Sequence, residues 1–506
     1  MARLRDLVVV IPGIGGSVLA APGSPAAGEG GGKGGVRFST GPATVASALM
    51  DPGRLDLDRC PDLVPSALVR GFTGLAPLVT LPGYRRLVQH LENSFDHVVT
   101  DTCRPSARVR EDADVLLFPY DFRRSVADAA ARLDDALGAA LEPRRAAGRG
   151  RTVIVVAHSM GGLVARYWAG VLGGWKRCRA LLLLGTPHRG APKALDWLVN
   201  GAGVGPLRHP AATRVIRGWP SVYELLPQYE AVLKVPADGS EGRPTEFTAI
   251  PAALAARADL AGYVERFAAM AAAGRAVHER IAAAWAGLDP DQAPPVVSYL
   301  GRGHATLNLA VLASGTLGIS KADPPWRGNV GWRGDGTVPM LSAIPREQGD
   351  RPDLWRVLPE RHGPLGSAPE PVELIGLYQG NRVPVRGGEL PDRPWLGLDA
   401  EEFAQAGAEY LIGVALLPAP LPGETAWVTR TPLDGTSGGP WRDQLTAIGP
   451  GEDGAQLWQG VLPGCGPGRY ELAVEVTGVP GPGRVTAKIT VVVLAAEAPG
   501  GAGASG

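Results

Sequence analysis

The sequence predicts an α/β domain built on a parallel sheet, followed by a smaller antiparallel β domain. Three observations predict it. Apolar strand-like runs alternate with helix-like stretches as far as about residue 300. Those runs are apolar at consecutive positions, as strands covered on both faces must be. After about residue 366 the pattern changes to strict apolar–polar alternation, the mark of strands with one wet face.

The first strand is Leu7–Ile11, with Pro12-Gly13-Ile14-Gly15-Gly16 as its exit loop. The opening residues share two arginines, an apolar run and small residues with signal peptides. Asp6 interrupts the charged part, however, and Pro12 and Gly13 break the apolar run. The segment therefore reads as core strand, with no export signal and a cytoplasmic location expected. Further strands are expected at 115–118, 152–156, 180–184 and 295–300. A helix should follow Ser125, which is placed to cap it. Asp128 lies three residues on, and Val126, Ala130, Leu133 and Leu137 share a face.

Two segments break the alternation, at about 22–110 and 193–290. Insertions of this size in an α/β core are usually caps or lids over the strand ends. The second contains an Ala-rich run that reads as helix. Residues 1–365 thus form one domain with two cap insertions, and 366–495 a β-sandwich of Ig-like size. In the latter, Tyr470, Leu472, Val474 and Val476 share a face, as do Val485, Ala487, Ile489 and Val491 beyond a turn. The tail 496–506 is predicted disordered from its composition.

Charge excludes some partners. Lys+Arg and Asp+Glu number 50 each, so no basic surplus points to nucleic acid. No apolar run is long enough for a membrane span. The four cysteines, Cys60, Cys103, Cys178 and Cys465, show no metal-ligand spacing, and only Cys60 with Cys103 is a candidate bridge. No metal or cofactor is expected.

The chemistry centres on "VIVVAHSMGG". A β-branched run meets Ala157-His158-Ser159-Met160-Gly161 and then a helix-forming stretch. This is the layout of a nucleophile elbow, with small residues two before and two after the serine because strand and helix crowd there. The pentapeptide recurs by chance; its position between strand and helix makes Ser159 a candidate nucleophile. The N–H of Met160, at the helix start, is a candidate oxyanion donor. A second donor should come from the loop after the first strand, at Gly15, with Ile14 as the alternative.

A serine nucleophile needs a base and a carboxylate to orient it. In this class the chain order is Ser, acid, His. Asp335, in "RGDGTVP", lies between glycines in a loop suited to a strand end, and His362 is the only histidine after it. His304 is the runner-up base. His158 reads as structural.

The chain resembles the lecithin:cholesterol acyltransferase and phospholipid:diacylglycerol acyltransferase family. The resemblance rests on "VIPGIGGSVL", "PGYRRLVQHL", "VLLFPYDFRRS", "VVAHSMGGLVARYW", "LLLLGTPHRGAP", "GWPSVYELLPQ" and "GDGTVP", in that order. It implies an α/β-hydrolase fold with Ser159 as nucleophile, Asp335 as acid, His362 as base and backbone donors at Gly15 and Met160. It also implies that Asp121 and Arg123 form a buried ion pair bracing the loop beside the site. The activity implied is O-acyl transfer from a lipid acyl ester, with transient contact at a membrane surface. Ester hydrolysis of the lipase or phospholipase type is the alternative. A binding or assembly protein with an inert core is a second, and the partner of the C-terminal domain is left open.

Overall fold

In the computed structural model, residues 3–23, 35–39, 51–69, 83–105, 107–150, 152–204, 207–238, 240–250, 260, 262–327, 333–349, 351, 354–379, 394–417, 424–433, 435–451, 455–479 and 482–495 are described. Seven parallel strands form the central sheet: β1 (Leu7–Ile11), β2 (Thr100–Thr102), β3 (Val115–Leu117), β4 (Val153–His158), β5 (Cys178–Leu184), β6 (Val296–Gly301) and β7 (Trp355–Leu358). Their order is β7-β6-β5-β4-β1-β3-β2. Every pairing between them is parallel. The five strands read from the sequence are present with ends moved by one or two residues. The edge strands β2 and β7 are additional.

Successive side chains of a strand point to opposite faces. Leu7, Val9 and Ile11 of β1 and Val153, Val155 and Ala157 of β4 enter one apolar cluster. Val8, Val10, Ile154 and Val156 enter another. Helix α1 (Arg85–Ser94) contributes Leu87 and Leu91 to the second cluster. Helix α2 (Val126–Ala146) contributes Val126, Ala130, Leu133 and Leu137 to the first. Ser125 caps α2, accepting the Ala127 N–H at 3.1 Å. Helix α3 (Met160–Arg166) follows β4 directly.

The segment 193–290 holds both helices and strands. Helix α4 (Pro192–Val199) and two short helices lead to strands Val232–Val235 and Arg243–Thr245. Val232–Val235 pairs in parallel with Leu309–Ala313, so a second, four-stranded sheet joins this segment to residues beyond it. The Ala-rich run gives helix α5 (Val264–Ala286), which buries Phe267, Ala271, Gly274, Val277 and Ile281 along one face. The start of that run, 251–259, lies outside the described residues, as do 24–34, 40–50 and 70–82 of the first insertion.

Asp121 and Arg123 form a buried, two-pronged ion pair, with Nε–Oδ1 at 2.8 Å and the second nitrogen–oxygen pair at 2.7 Å. A third Arg123 nitrogen donates to the Cys60 carbonyl at 2.9 Å. The guanidinium is thus spread over a carboxylate and a loop backbone, which compensates its burial. Cys60 and Cys103 are free thiols.

By its contacts the chain divides into two units. One comprises Met1–Gly203, Arg208–Arg302 and Thr306–Leu390; the other comprises Val204–Leu207, Gly303–Ala305 and Pro391–Gly506. Two further helices, α6 (His362–Leu365) and α7 (Glu370–Gln379), close the first unit. The division therefore falls one helix beyond residue 366. In the second unit a four-stranded and a five-stranded sheet share one core, with Ile412, Val414 and Trp458 from the first and Val428, Leu472 and Val474 from the second. Tyr470, Leu472, Val474 and Val476 are buried as the alternation requires. The pairing is antiparallel except at one edge, where Phe403–Gln405 runs parallel to the last strand. The tail 496–506 lies outside the described residues.

Candidate active site

Ser159 occupies the sharp turn between β4 and α3, with φ 53° and ψ −129°. A non-glycine residue there is strained, and the strain is held by its surroundings. Its N–H donates to Leu184 of β5 at 2.8 Å, and its carbonyl accepts the Gly162 N–H at 2.9 Å. The crowding expected of an elbow is present. A Cβ at Gly161 would run into the carbonyl oxygens of Ile11 and Pro12, and one at Gly13 would lie 2.7 Å from the Ser159 Cβ.

Three distant segments meet at the serine. His362 Nε2 lies 2.9 Å from Ser159 Oγ, and His362 Nδ1 lies 2.7 Å from Asp335 Oδ2. Asp335 Oδ1 accepts the N–H groups of Thr337 at 2.9 Å and Val338 at 2.7 Å. Burial opposes the charge of Asp335, but His362 and the two N–H groups outweigh it and hold the pKa below the usual carboxylate value. The His362 N–H donates to the Asp335 carbonyl at 2.9 Å. His304, by contrast, falls in the other unit, where its Nδ1 accepts the Leu398 N–H.

Ser159 opens onto a cleft. Ala191, Ala194, Trp197, Leu225 and Val338 make its wall apolar, and Lys193 adds one cation. From the loop after β1 the wall takes Gly13 and Ile14. Among the described residues, no group of His, Cys, Asp and Glu is arranged to hold a metal ion, and no helix is long and apolar enough to cross a membrane.

Sequence reasoning missed Tyr84. Its hydroxyl lies 2.8 Å from the Gly13 nitrogen and 3.0 Å from His158 Nδ1. His158 Nε2 in turn lies 2.8 Å from the His362 carbonyl oxygen. The only sequence signal was the tyrosine in "PGYRRL".

Burial keeps three histidines uncharged. It lowers His158 to about 3, with the nearby His362 adding to the effect, and His278 to about 4. Burial and the charges of Arg166 and Arg189 take His188 well below its ordinary value. Each takes up a proton only on unfolding, so its stabilisation is intact above pH ~6.5 and is lost as pH falls toward the folded value. Glu224 opposes them. Burial raises it to about 7, so the folded chain keeps a proton that the unfolded chain sheds between pH 4.5 and 7. Burial raises Glu360 and Glu370 in the same sense as Glu224, but the larger shifts of the three histidines outweigh these carboxyls, so stability falls as pH drops below about 6. The urea midpoint should therefore fall between pH 7 and 5, and a flat or rising midpoint would contradict this balance.

Fold and site define a class first: an α/β protein whose parallel sheet presents a serine at a strand-to-helix elbow. Residues 94–255, about a third of the chain, match the sequence model of the lecithin:cholesterol acyltransferase family, which bears out the resemblance read from the motifs. That match supports an enzyme acting on lipid acyl esters. No curated protein matches the chain. Among solved structures, the propeptide form of a Bacillus licheniformis lipase aligns with 96% of this chain and 93% of its own, at 10% identity and TM-score 0.33. A CARDB domain from Pyrococcus furiosus, in complex with di-metal ions, aligns with 20% of this chain and 94% of its own, at 16% identity and TM-score 0.14.

Proposed function

We propose that this chain is a serine-dependent O-acyltransferase of α/β-hydrolase fold, acting on lipid acyl esters through an acyl-enzyme. The observation that carries the reading is the hydrogen-bonded line Ser159–His362–Asp335 at the base of an apolar cleft. His362 takes the proton of Ser159 as Oγ attacks the ester carbonyl. Asp335 keeps the Nδ1 proton in place and balances the imidazolium. The oxyanion rests on the Met160 N–H and on one N–H from the loop after β1, that of Gly15 or, as the alternative, Ile14. His362 then returns the proton to the departing alcohol. An acceptor alcohol, deprotonated by the same histidine, resolves the acyl-enzyme.

The same residues serve hydrolysis, with water in place of the alcohol. Net transfer needs a bound acceptor and a site closed to water. The segment 193–290 supplies Lys193, Trp197 and Leu225 to the cleft wall and is the candidate lid. The deciding measurement is the ratio of new ester to free fatty acid from a long-chain phospholipid as a lipophilic alcohol is raised. The ratio should climb, and climb more steeply on vesicles than on monomeric substrate. Ester never exceeding the no-enzyme control would make the protein a hydrolase. Equal rates on monomeric and aggregated substrate would make 193–290 a rigid cap.

A further inference from the structure

We propose that Tyr84 and His158 are positioning residues, which tie the loop after β1 to the backbone of His362 through one directed chain of hydrogen bonds. This rests on the reading of Ser159 as nucleophile and His362 as base.

The direction of the chain follows from its two ends. The Gly13 N–H can only donate, so the Tyr84 oxygen, 2.8 Å away, accepts. Tyr84 then has one proton to give, and His158 Nδ1 at 3.0 Å must receive it. A neutral imidazole with a bare Nδ1 carries its proton on Nε2. Nε2 lies 2.8 Å from the His362 carbonyl oxygen, which can only accept. Run the other way, the chain would bring two donors together at Gly13 and two acceptors together at His362. The side chains of Tyr84, His158 and His362 are all buried.

This chain supplies something the acid and base lack alone. Asp335 holds the His362 ring through Nδ1 and the His362 N–H through its own carbonyl. The His362 carbonyl is held from the other side, by His158. The peptide frame of the base is therefore fixed at both of its polar atoms. At the far end, Gly13 belongs to the loop after β1 and lines the cleft beside Ser159. One run of bonds thus sets both the loop that would receive the oxyanion and the residue that would move the proton. Packing alone explains neither polar side chain, since apolar rings would fill the same space without the cost of buried polar atoms.

His158 also has to remain neutral. Its ring centroid is 4.8 Å from that of His362. A cation there would oppose the imidazolium that His362 becomes after taking the serine proton. The hydrogen from Tyr84 and the burial of the ring both favour the neutral form.

The test uses the full chain and a soluble short-chain p-nitrophenyl ester, with rates normalised to the folded fraction by circular dichroism. The variants are Tyr84→Phe, His158→Phe, their combination and His158→Gln, with Ser159→Ala in parallel. Tyr84→Phe and His158→Phe should each lower kcat by about 10- to 100-fold, the scale of a misplaced catalytic group, with KM little changed. The combination should be no slower than the slower single variant, because either change opens the same chain. His158→Gln keeps an N–H for the His362 carbonyl and should retain more activity than His158→Phe. Losses that multiply in the combination, losses in KM alone, or full activity in Tyr84→Phe would overturn the proposal. Should the His158→Phe variants not fold, Tyr84→Phe and His158→Gln decide: both slow supports it, Tyr84→Phe at full rate overturns it. Activity persisting in Ser159→Ala would instead overturn the reading beneath. A dead Ser159→Ala beside a fully active Tyr84→Phe would overturn the chain alone.

Discussion

Ser159→Ala should lower kcat on any acyl ester by about a million-fold, the scale seen when a nucleophile that works as a unit with its base is removed. The substitution deletes Oγ, the atom 2.9 Å from His362 Nε2, and changes little else. Alanine accepts the strained backbone no better than serine does, because the positive φ is imposed by Leu184, Gly162 and the crowding at Gly13. The fold should therefore persist, and the circular dichroism spectrum with it. Covalent labelling by a fluorophosphonate probe should vanish, because the probe bonds to the serine oxygen. Binding of a non-hydrolysable ester analogue should survive, since the wall of Trp197, Leu225 and Val338 is untouched. Labelling that persists would move the nucleophile elsewhere. Hydrolysis lost in company with analogue binding would mean that the variant had disturbed the cleft.

Legibility in this sequence followed the range of the interactions involved. The elbow is a local object. Its strand, small residues and helix occupy consecutive positions, so Ser159 could be read directly. The buried strands β1, β4 and β5 were legible for the same reason, being continuous apolar runs. The edge strands were not. Thr100-Asp101-Thr102 has no apolar side chain, and it joins β3 through backbone pairing. The sheet that joins Val232–Val235 to Leu309–Ala313 unites segments far apart in the chain, which no local pattern reports. Asp335 and His362 were reached by chain order and by elimination, without geometry. The link from Tyr84 to His158 spans 74 residues and depends on which nitrogen carries a proton. A tyrosine at the head of a helix carries no such message in the sequence.

Asp335→Asn should cost about 10⁴-fold in kcat while leaving the fold standing. The side chains are nearly the same shape, so the effect has to come from protons. One carboxylate oxygen of Asp335 accepts two backbone N–H groups, from Thr337 and Val338. That position has no room for a donor, so the asparagine carbonyl must take it. The amide NH₂ then falls where Oδ2 stood, 2.7 Å from His362 Nδ1. Two N–H groups cannot face each other there, and His362 is driven to the tautomer with its proton on Nε2. That nitrogen is the one that must accept the serine proton, so the base is occupied before the reaction begins. The imidazolium also loses its counter-charge in a buried site, where such a charge counts for more than in water. The loss should appear in kcat, with KM nearly constant, and should be partly recovered at high pH with substrates whose alcohol leaves without protonation. A loss below about tenfold would show that Asp335 only braces the loop, and would reopen the search for the carboxylate that orients His362.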